Sequence, residues 1–419
     1  MCDDLRVSDI FAEVSKTYSP FYLMSKTQLE RNFEAYREAL TGLDSAFIGY
    51  AVKANHNLHV MRHLASLGSG AVLVSGNELR TAMLAGFDTE KMIFNGNGKQ
   101  QEEIDLAVAN GVLVNIDSEF DLEHIIAAGK STRKKARALL RINPDVDPKV
   151  HPYVSTGMAG SKFGIQNNKI DEYLQKIRDN AKHVELVGAH CHIGSTIKDT
   201  QVFKDAAVKM VEYVEMIRKE GFDLQYLNIG GGLGIDYERT GQKIPTPKDL
   251  IDTVRDQIVE AKLKLIIEPG RSLVGNTSIF VSKVIGVKSN GTKNFVVVNG
   301  SMSELIRPSL YDTYQHIELA APSDAEEQVF DVVGPVCESA DFLGKERKLP
   351  TPKEGECLVV FDAGAYCQAM SSNYNMKLTC PEYWADKDQL MQVRRMPELE
   401  EYLSVFDRIE NIAINKSNQ

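Results

Sequence analysis

The six cysteines of this 419-residue sequence (Cys2, Cys191, Cys337, Cys357, Cys367, Cys380) are scattered, and no Cys-x-x-Cys occurs among them. That spacing argues against a structural zinc site or a disulfide framework and fits a reducing compartment. No apolar run approaches the roughly 20 residues needed to span a bilayer. Cationic excess is missing too: the net charge of −10 counts against nucleic acid or an anionic membrane as the main partner. Low-complexity segments and internal repeats are absent. The opening Met1-Cys2-Asp3-Asp4-Leu5 reads as neither a secretory signal nor an Arg- and Ser-rich transit peptide. A cytoplasmic location is therefore expected, or a plastid stroma if a transit peptide has been removed.

What remains is an ordinary globular composition, 43% hydrophobic and 25% charged, in a chain long enough for two domains. Eight short apolar runs alternate with amphipathic stretches: 45–52, 70–74, 92–95, 113–117, 138–143, 187–192, 226–229 and 264–268. Segments between them, such as 58–64 and 203–219, carry apolar residues at helical spacing. Strict β/α alternation implies a parallel sheet with crossover helices, and eight repeats suggest closure into a barrel. An open doubly wound sheet would place a Gly-x-Gly-x-x-Gly after its first strand, and none is there. From about residue 273 the texture changes to strand-like runs at 280–287, 294–298, 329–333 and 357–362, with little helix between them. The expected division is a barrel over 25–272, with 1–24 and 273–419 forming a β-rich domain.

The polar residues gather at the ends of the expected strands, where barrel enzymes build their sites. Lys53 follows the apolar run Ala46–Val52. A buried amine there could attack an aldehyde, although a lone lysine ending a strand is more commonly its first solvated residue. Gly230-Gly231-Gly232-Leu233-Gly234 could turn backbone N–H groups toward an anion or form a plain tight turn. Glu268-Pro269-Gly270-Arg271 ends the eighth run: a carboxylate for a protonated ring nitrogen and a fork of donors for an anion, or else an exposed surface pair. His190 and His192, in His190-Cys191-His192-Ile193-Gly194-Ser195, share one face of a strand. No third ligand at metal spacing lies near them, so a histidine packed on an aromatic cofactor, with Ser195 on its phosphate, accounts better for the run. Arg307 and Tyr311, Cys337 and Glu338, and Tyr366 sit in three further polar motifs of the second domain.

Together these motifs resemble the fold-type III pyridoxal-phosphate decarboxylases, the family of ornithine, arginine and diaminopimelate decarboxylases, with alanine racemase more distant. The likeness runs from Thr17-Tyr18-Ser19-Pro20-Phe21-Tyr22 through Val74-Ser75-Gly76-Asn77-Glu78-Leu79 to Pro381-Glu382-Tyr383-Trp384. Phe94-Asn95-Gly96-Asn97-Gly98-Lys99 and Asn143-Pro144-Asp145-Val146-Asp147-Pro148 resemble the plant and algal members of the meso-diaminopimelate branch. The resemblance implies an alanine racemase-like (β/α)8 barrel with a mostly-β second domain, and pyridoxal 5'-phosphate as cofactor. Lys53 would carry the cofactor as a Schiff base and His192 would stack on its ring. Ser195 and Gly230, Gly231 and Gly232 would hold the phosphate, Glu268 would face the ring nitrogen, and Pro269, Gly270, Arg271 and Tyr366 would line the cofactor. Arg271, Arg307, Tyr311, Glu338 and Tyr366 would bind substrate, and Cys337 would donate the proton. Cys337 and Glu338 would reach the site from the other subunit of a homodimer.

The implied reaction is decarboxylation of meso-2,6-diaminopimelate to L-lysine and CO2, the last step of lysine biosynthesis. The alternative is a decarboxylase of ornithine or arginine on the same fold. That pocket would need an acidic group for the distal cation, and Arg307 argues the other way. One departure stands out, since relatives usually carry aspartate where this chain has Asn299. A lid is expected around residues 160–164.

Overall fold

The computed structural model describes Ile10, Val14 and residues 19–147 and 162–406. Thr17, Tyr18, Pro148, and residues 160 and 161 of the expected lid lie outside the described residues. Strand β1 (Phe21–Ser25) precedes a closed barrel of eight strands. The barrel strands are β2 (Phe47–Ala51), β3 (Gly70–Leu73), β4 (Met92–Phe94), β5 (Leu113–Ile116), β6 (Ala136–Arg141), β7 (Val184–His190), β8 (Tyr226–Asn228) and β9 (Lys264–Ile267). Each is parallel to its neighbour, and β2 closes the ring on β9 through Phe47 opposite Ile266. Six of the eight expected runs contain one of these strands, and the other two, 138–143 and 187–192, overlap β6 and β7, which begin earlier, at Ala136 and Val184.

The ring closes over a layer to which every strand contributes one side chain: Phe47, Val72, Ile93, Leu113, Leu139, Val187, Tyr226 and Ile266. Strands covered on both faces carry continuous apolar runs, as in Leu265-Ile266-Ile267, and the larger core lies outside the ring, beneath the helices. The helices start where their sequences supply a cap. Ser75, Ser118 and Thr246 each accept from a backbone N–H three residues on, and Thr246 and Asp249 cap each other reciprocally.

The strands end earlier than their apolar runs suggest. β2 stops at Ala51, and Lys53 sits on a single 3-10 turn (Val52–Ala54) rather than at a strand end. β7 stops at His190, so His192 reaches the site from the loop and not by strand alternation. In both places the chain leaves the ladder just before the polar residues.

The second sheet holds β1 together with β10 (Ser278–Ser289), β11 (Asn294–Val298), β12 (Ile317–Leu319), β13 (Glu327–Val333), β14 (Phe342–Pro350), β15 (Cys357–Val360), β16 (Glu382–Asp386) and β17 (Gln389–Arg394). The long strand β10 organises it. Its first half pairs with β1 and β15, its second half with β11, and a register shift falls between Val284 and Gly286. Two loops of this sheet, around Arg307 and Tyr366, reach the barrel mouth.

Candidate active site

A cavity of ≈ 540 Å³ opens at the C-terminal ends of the barrel strands. Its floor is a buried polar network built from consecutive strands. Glu268, directly after β9, receives the side-chain amides of Asn95 at 2.9 Å and Asn228 at 2.7 Å, both on Oε1. His190 Nε2 stands 3.4 Å from the same oxygen. Asn115, inside β5, donates in turn to Asn95. Arg141, at the end of β6, reaches Asp117 at 3.2 Å, and Asp117 also accepts from the Gly164 N–H at 3.1 Å. With these bonds in place the buried carboxylate costs far less than an isolated ion would.

Burial pushes the Glu268 carboxyl up, but His190, His192 and the Asn95 amide pull it down further, to about 2. It is therefore an anion at neutral pH. Burial also pushes His190 below the usual imidazole range, against the pull of Glu268. His192 is held well below that range by burial, with Lys53 adding to the effect. Both imidazoles are thus uncharged at neutral pH.

Lys53 lines the cavity together with His190, His192, Ser195, Glu268 and Arg271. Its side chain is exposed to that cavity, so the expected burial of the amine does not apply. Gly270 and Tyr366 close the wall beside it. A Cβ at Gly270 would lie 3.1 Å from the Tyr366 hydroxyl, and the Tyr366 N–H is tied to the Ala54 carbonyl at 2.8 Å. Pro269 does not line the cavity; its carbonyl accepts from the Ala51 N–H at 3.1 Å and so fixes the start of the Lys53 turn.

The glycine run divides its labour. Gly230 donates its N–H to Asn228 Oδ1 at 2.9 Å, and Gly231 donates to His192 Nδ1 at 3.1 Å. Those two amides hold the floor and the His192 ring, and only Gly232 of the three lines the cavity. Gly232 has φ +118°, and a Cβ there would overlap the Gly194 carbonyl oxygen, so only glycine lets the two loops meet.

Arg271 is no surface partner of Glu268. It is buried and donates to Ser195 Oγ from Nε (3.2 Å) and Nη2 (3.3 Å), and to the Tyr237 hydroxyl from Nη1 (2.6 Å). Arg307, on the one-turn helix Arg307–Tyr311, is 2% exposed, and its Nε and Nη1 have no hydrogen-bond partner. Tyr311 lines the cavity beside it. Buried guanidinium nitrogens without an acceptor are costly, and they mark a place prepared for an anion. Five of the described lining residues are Lys or Arg (Lys53, Arg141, Lys162, Arg271, Arg307) and one is acidic, Glu268. The cavity thus selects for negative charge.

Cys337 and Glu338 are exposed and lie outside this cavity. Their loop is pinned from below: Asp341 accepts from the Val336 N–H and the Met302 N–H, each at 2.7 Å, and Asn375 accepts from the Cys337 N–H at 2.9 Å. Asn299 is also remote from the floor. Its amide bonds Ser19 at 3.0 Å and its oxygen accepts from the Lys283 N–H at 2.8 Å, which gives this side chain a place in the second sheet's architecture. Sequence reasoning gave no role to Asn95 and did not single out Asn115, Asn228, Arg141 or Tyr237. For all but Tyr237, the available signal was a polar residue within or just beyond an apolar strand.

The pyridoxal binding domain of the pyridoxal-dependent decarboxylases matches residues 26–275. A protein of Oryza sativa subsp. japonica described as a probable chloroplastic diaminopimelate decarboxylase is 60% identical over 410 residues, covering 97% of this chain and 83% of the relative. Diaminopimelate decarboxylase of Aquifex aeolicus is 42% identical over 388 residues, 91% of this chain and 90% of the relative. Among solved structures, diaminopimelate decarboxylase from Helicobacter pylori complexed with L-lysine superposes with a TM-score of 0.90 at 33% identity, over 95% of this chain and 99% of that one. Arginine decarboxylase of Paramecium bursaria Chlorella virus, at 20% identity and a TM-score of 0.76, shares the fold, over 88% of this chain and 96% of that one.

Proposed function

The chain belongs to the pyridoxal-dependent decarboxylase family, and on that premise we propose how its residues divide the work of the reaction. The reaction is decarboxylation of meso-diaminopimelate to L-lysine and CO2, the last step of lysine biosynthesis, with pyridoxal 5'-phosphate as cofactor.

The cavity residues fit that cofactor. Lys53 offers an amine, and Arg271, Ser195 and Gly232 form a cradle for a phosphate. Glu268 keeps its donors on Oε1, which leaves Oε2 to accept from a protonated ring nitrogen. Lys53 would hold the cofactor covalently, His192 would pack against its ring, and Tyr366 would close the wall. When bound, the cofactor supplies the electron sink for the pair released as CO2 leaves. Glu268 would keep a proton on the ring nitrogen, because a carboxyl held at about 2 does not take that proton at neutral pH. Cys337 then gives a proton to the substrate carbon.

Selectivity rests on one observation, the buried Arg307 guanidinium, whose Nε and Nη1 have no hydrogen-bond partner. It would receive the distal carboxylate of the substrate, with Tyr311 beside it. Ornithine, arginine and lysine end in a cation, and a wall with five basic side chains and one committed carboxylate repels them. Glu338 would take the distal amine.

A second copy of the chain completes the site, since Cys337 and Glu338 are exposed outside the cavity of their own chain. Residues 25–272 would hold the cofactor, and 1–24 with 273–419 would bring the substrate groups and the partner surface. No helix among the described residues is long and apolar enough to cross a membrane. The rice relative's chloroplastic description supports a plastid stroma, and the five described cysteines, all free thiols, fit that stroma or a cytoplasm.

The test is a substrate panel with added pyridoxal phosphate. CO2 release with L-lysine formed from meso-diaminopimelate, and none from L-ornithine or L-arginine, is the expected result. Release from a basic amino acid in its place would overturn the Arg307 assignment.

A further inference from the structure

Tyr237 lies outside every role assigned above, yet it touches both arginines of the anion wall. It follows the glycine run after β8 and is buried. Its hydroxyl accepts from Arg271 Nη1 at 2.6 Å. Its ring lies against Arg307, whose guanidinium carbon is 4.3 Å from the ring centroid. The bonds of Arg271 go to hydroxyls, and Arg307 Nε and Nη1 go to nothing. Two buried cations in one wall repel each other strongly at low dielectric. A phenol oxygen facing one of them and a π face against the other offset that repulsion, each by a known interaction.

The place of Tyr237 is itself fixed from both domains. Asp236 Oδ1 accepts from the N–H groups of Glu238 (3.2 Å) and Arg239 (3.0 Å), which folds the chain into a turn around Tyr237. Arg239 then pairs with the buried Asp362 at 3.3 Å and covers the Phe361 ring at 4.1 Å. Asp362 opens the short loop to Tyr366, whose ring takes Arg271 at 4.8 Å. Arg271 is therefore held between two tyrosines, one from the barrel loop and one from the second sheet.

We propose that Tyr237 is a positioning residue that aims Arg307 at the distal carboxylate and spaces it from Arg271, so that selectivity for the acidic substrate depends on a side chain outside the cavity. This rests on the reaction assigned above. The ring serves Arg307 and the hydroxyl serves Arg271, so two substitutions separate the roles.

The experiment compares wild-type, Tyr237→Phe and Tyr237→Leu holoenzymes for KM and kcat with meso-diaminopimelate. It also measures the Kd for pyridoxal phosphate by absorbance titration of the cofactor-free proteins, and thermal unfolding. Tyr237→Leu is expected to raise KM about tenfold with kcat changed by less than about threefold, because the lost support concerns binding of a remote group. Tyr237→Phe is expected to restore KM to within about twofold of wild type while weakening pyridoxal phosphate binding about fivefold, the loss of one charge-assisted bond. A Tyr237→Leu enzyme with wild-type KM, or a Tyr237→Phe enzyme no better than Tyr237→Leu, overturns the proposal. If Tyr237→Leu shows no cooperative unfolding, Tyr237→Met takes its place as the variant without the ring: a wild-type KM overturns the proposal and a raised KM supports it. A wild-type enzyme inactive on meso-diaminopimelate would instead remove the reaction on which the proposal rests.

Discussion

Asn228 donates its side-chain amide to Glu268 over 2.7 Å, landing on the oxygen that also receives Asn95. The pair joins the ends of β8 and β9, while His190, His192 and Asn95 hold the carboxylate ionised inside the barrel. Glu268 is held at about 2 against an ordinary value of 4.5, so folding is favoured by the anion above the unfolded value. That contribution is lost as pH falls from about 4.5 through 2. Urea unfolding of wild type and Glu268→Gln at stepped pH should show the wild-type advantage shrinking across this window. A difference independent of pH there would contradict the ionised assignment.

Gly231→Ala should disturb the same carboxylate from the backbone side. A Cβ at Gly231 would overlap the Glu268 carbonyl oxygen, and overpacking of this kind costs about 1–3 kcal/mol. Gly286, in β10, has nothing within 4 Å of a built Cβ, and Gly286→Ala should stay within about 0.5 kcal/mol of wild type. Denaturant unfolding of the two variants checks the contrast.

Arg307→Met should separate stability from function. Removing a buried cation whose Nε and Nη1 lack acceptors should stabilise the cofactor-free protein by about 1 kcal/mol, while KM for meso-diaminopimelate rises about 100-fold. Unfolding midpoint and steady-state kinetics read the two effects separately. A fall in stability with KM unchanged would mean that Arg307 serves packing and not the substrate.

Lys53→Ala and Cys337→Ala should each be inactive alone. If Cys337 acts in the cavity of a second copy, refolding the two variants together in equal amounts should restore about a quarter of wild-type activity, since half the random dimers carry one intact site of two. No recovery on mixing would place Cys337 outside the shared site.

The barrel was legible because parallel strands buried on both faces write themselves as apolar runs, and crossover helices separate them at regular intervals. The polar floor was not. Asn95 follows β4, Asn115 lies in β5 and Asn228 ends β8, and they converge with Glu268 only once the ring has closed. A single asparagine at or near a strand end carries no motif. Lys53 and His192 were placed in the right region, but on the wrong local structure: both follow the end of the ladder, where polar groups turn to one another. Tyr237 was hidden for a further reason, since its importance lies in two arginines 34 and 70 positions away in the chain, brought to it by separate domains. Cys337 and Glu338 were reached only through family resemblance, and their own chain leaves them outside the cavity.

The most direct test of the site is to locate the cofactor on the chain. Protein loaded with pyridoxal phosphate is reduced with borohydride, which makes the link to lysine permanent, then digested and read by mass spectrometry. The account predicts the modification on Lys53 and its disappearance in Lys53→Ala. Modification of Lys162, the other lysine among the described residues of the cavity wall, with Lys53 left unmodified, would contradict it.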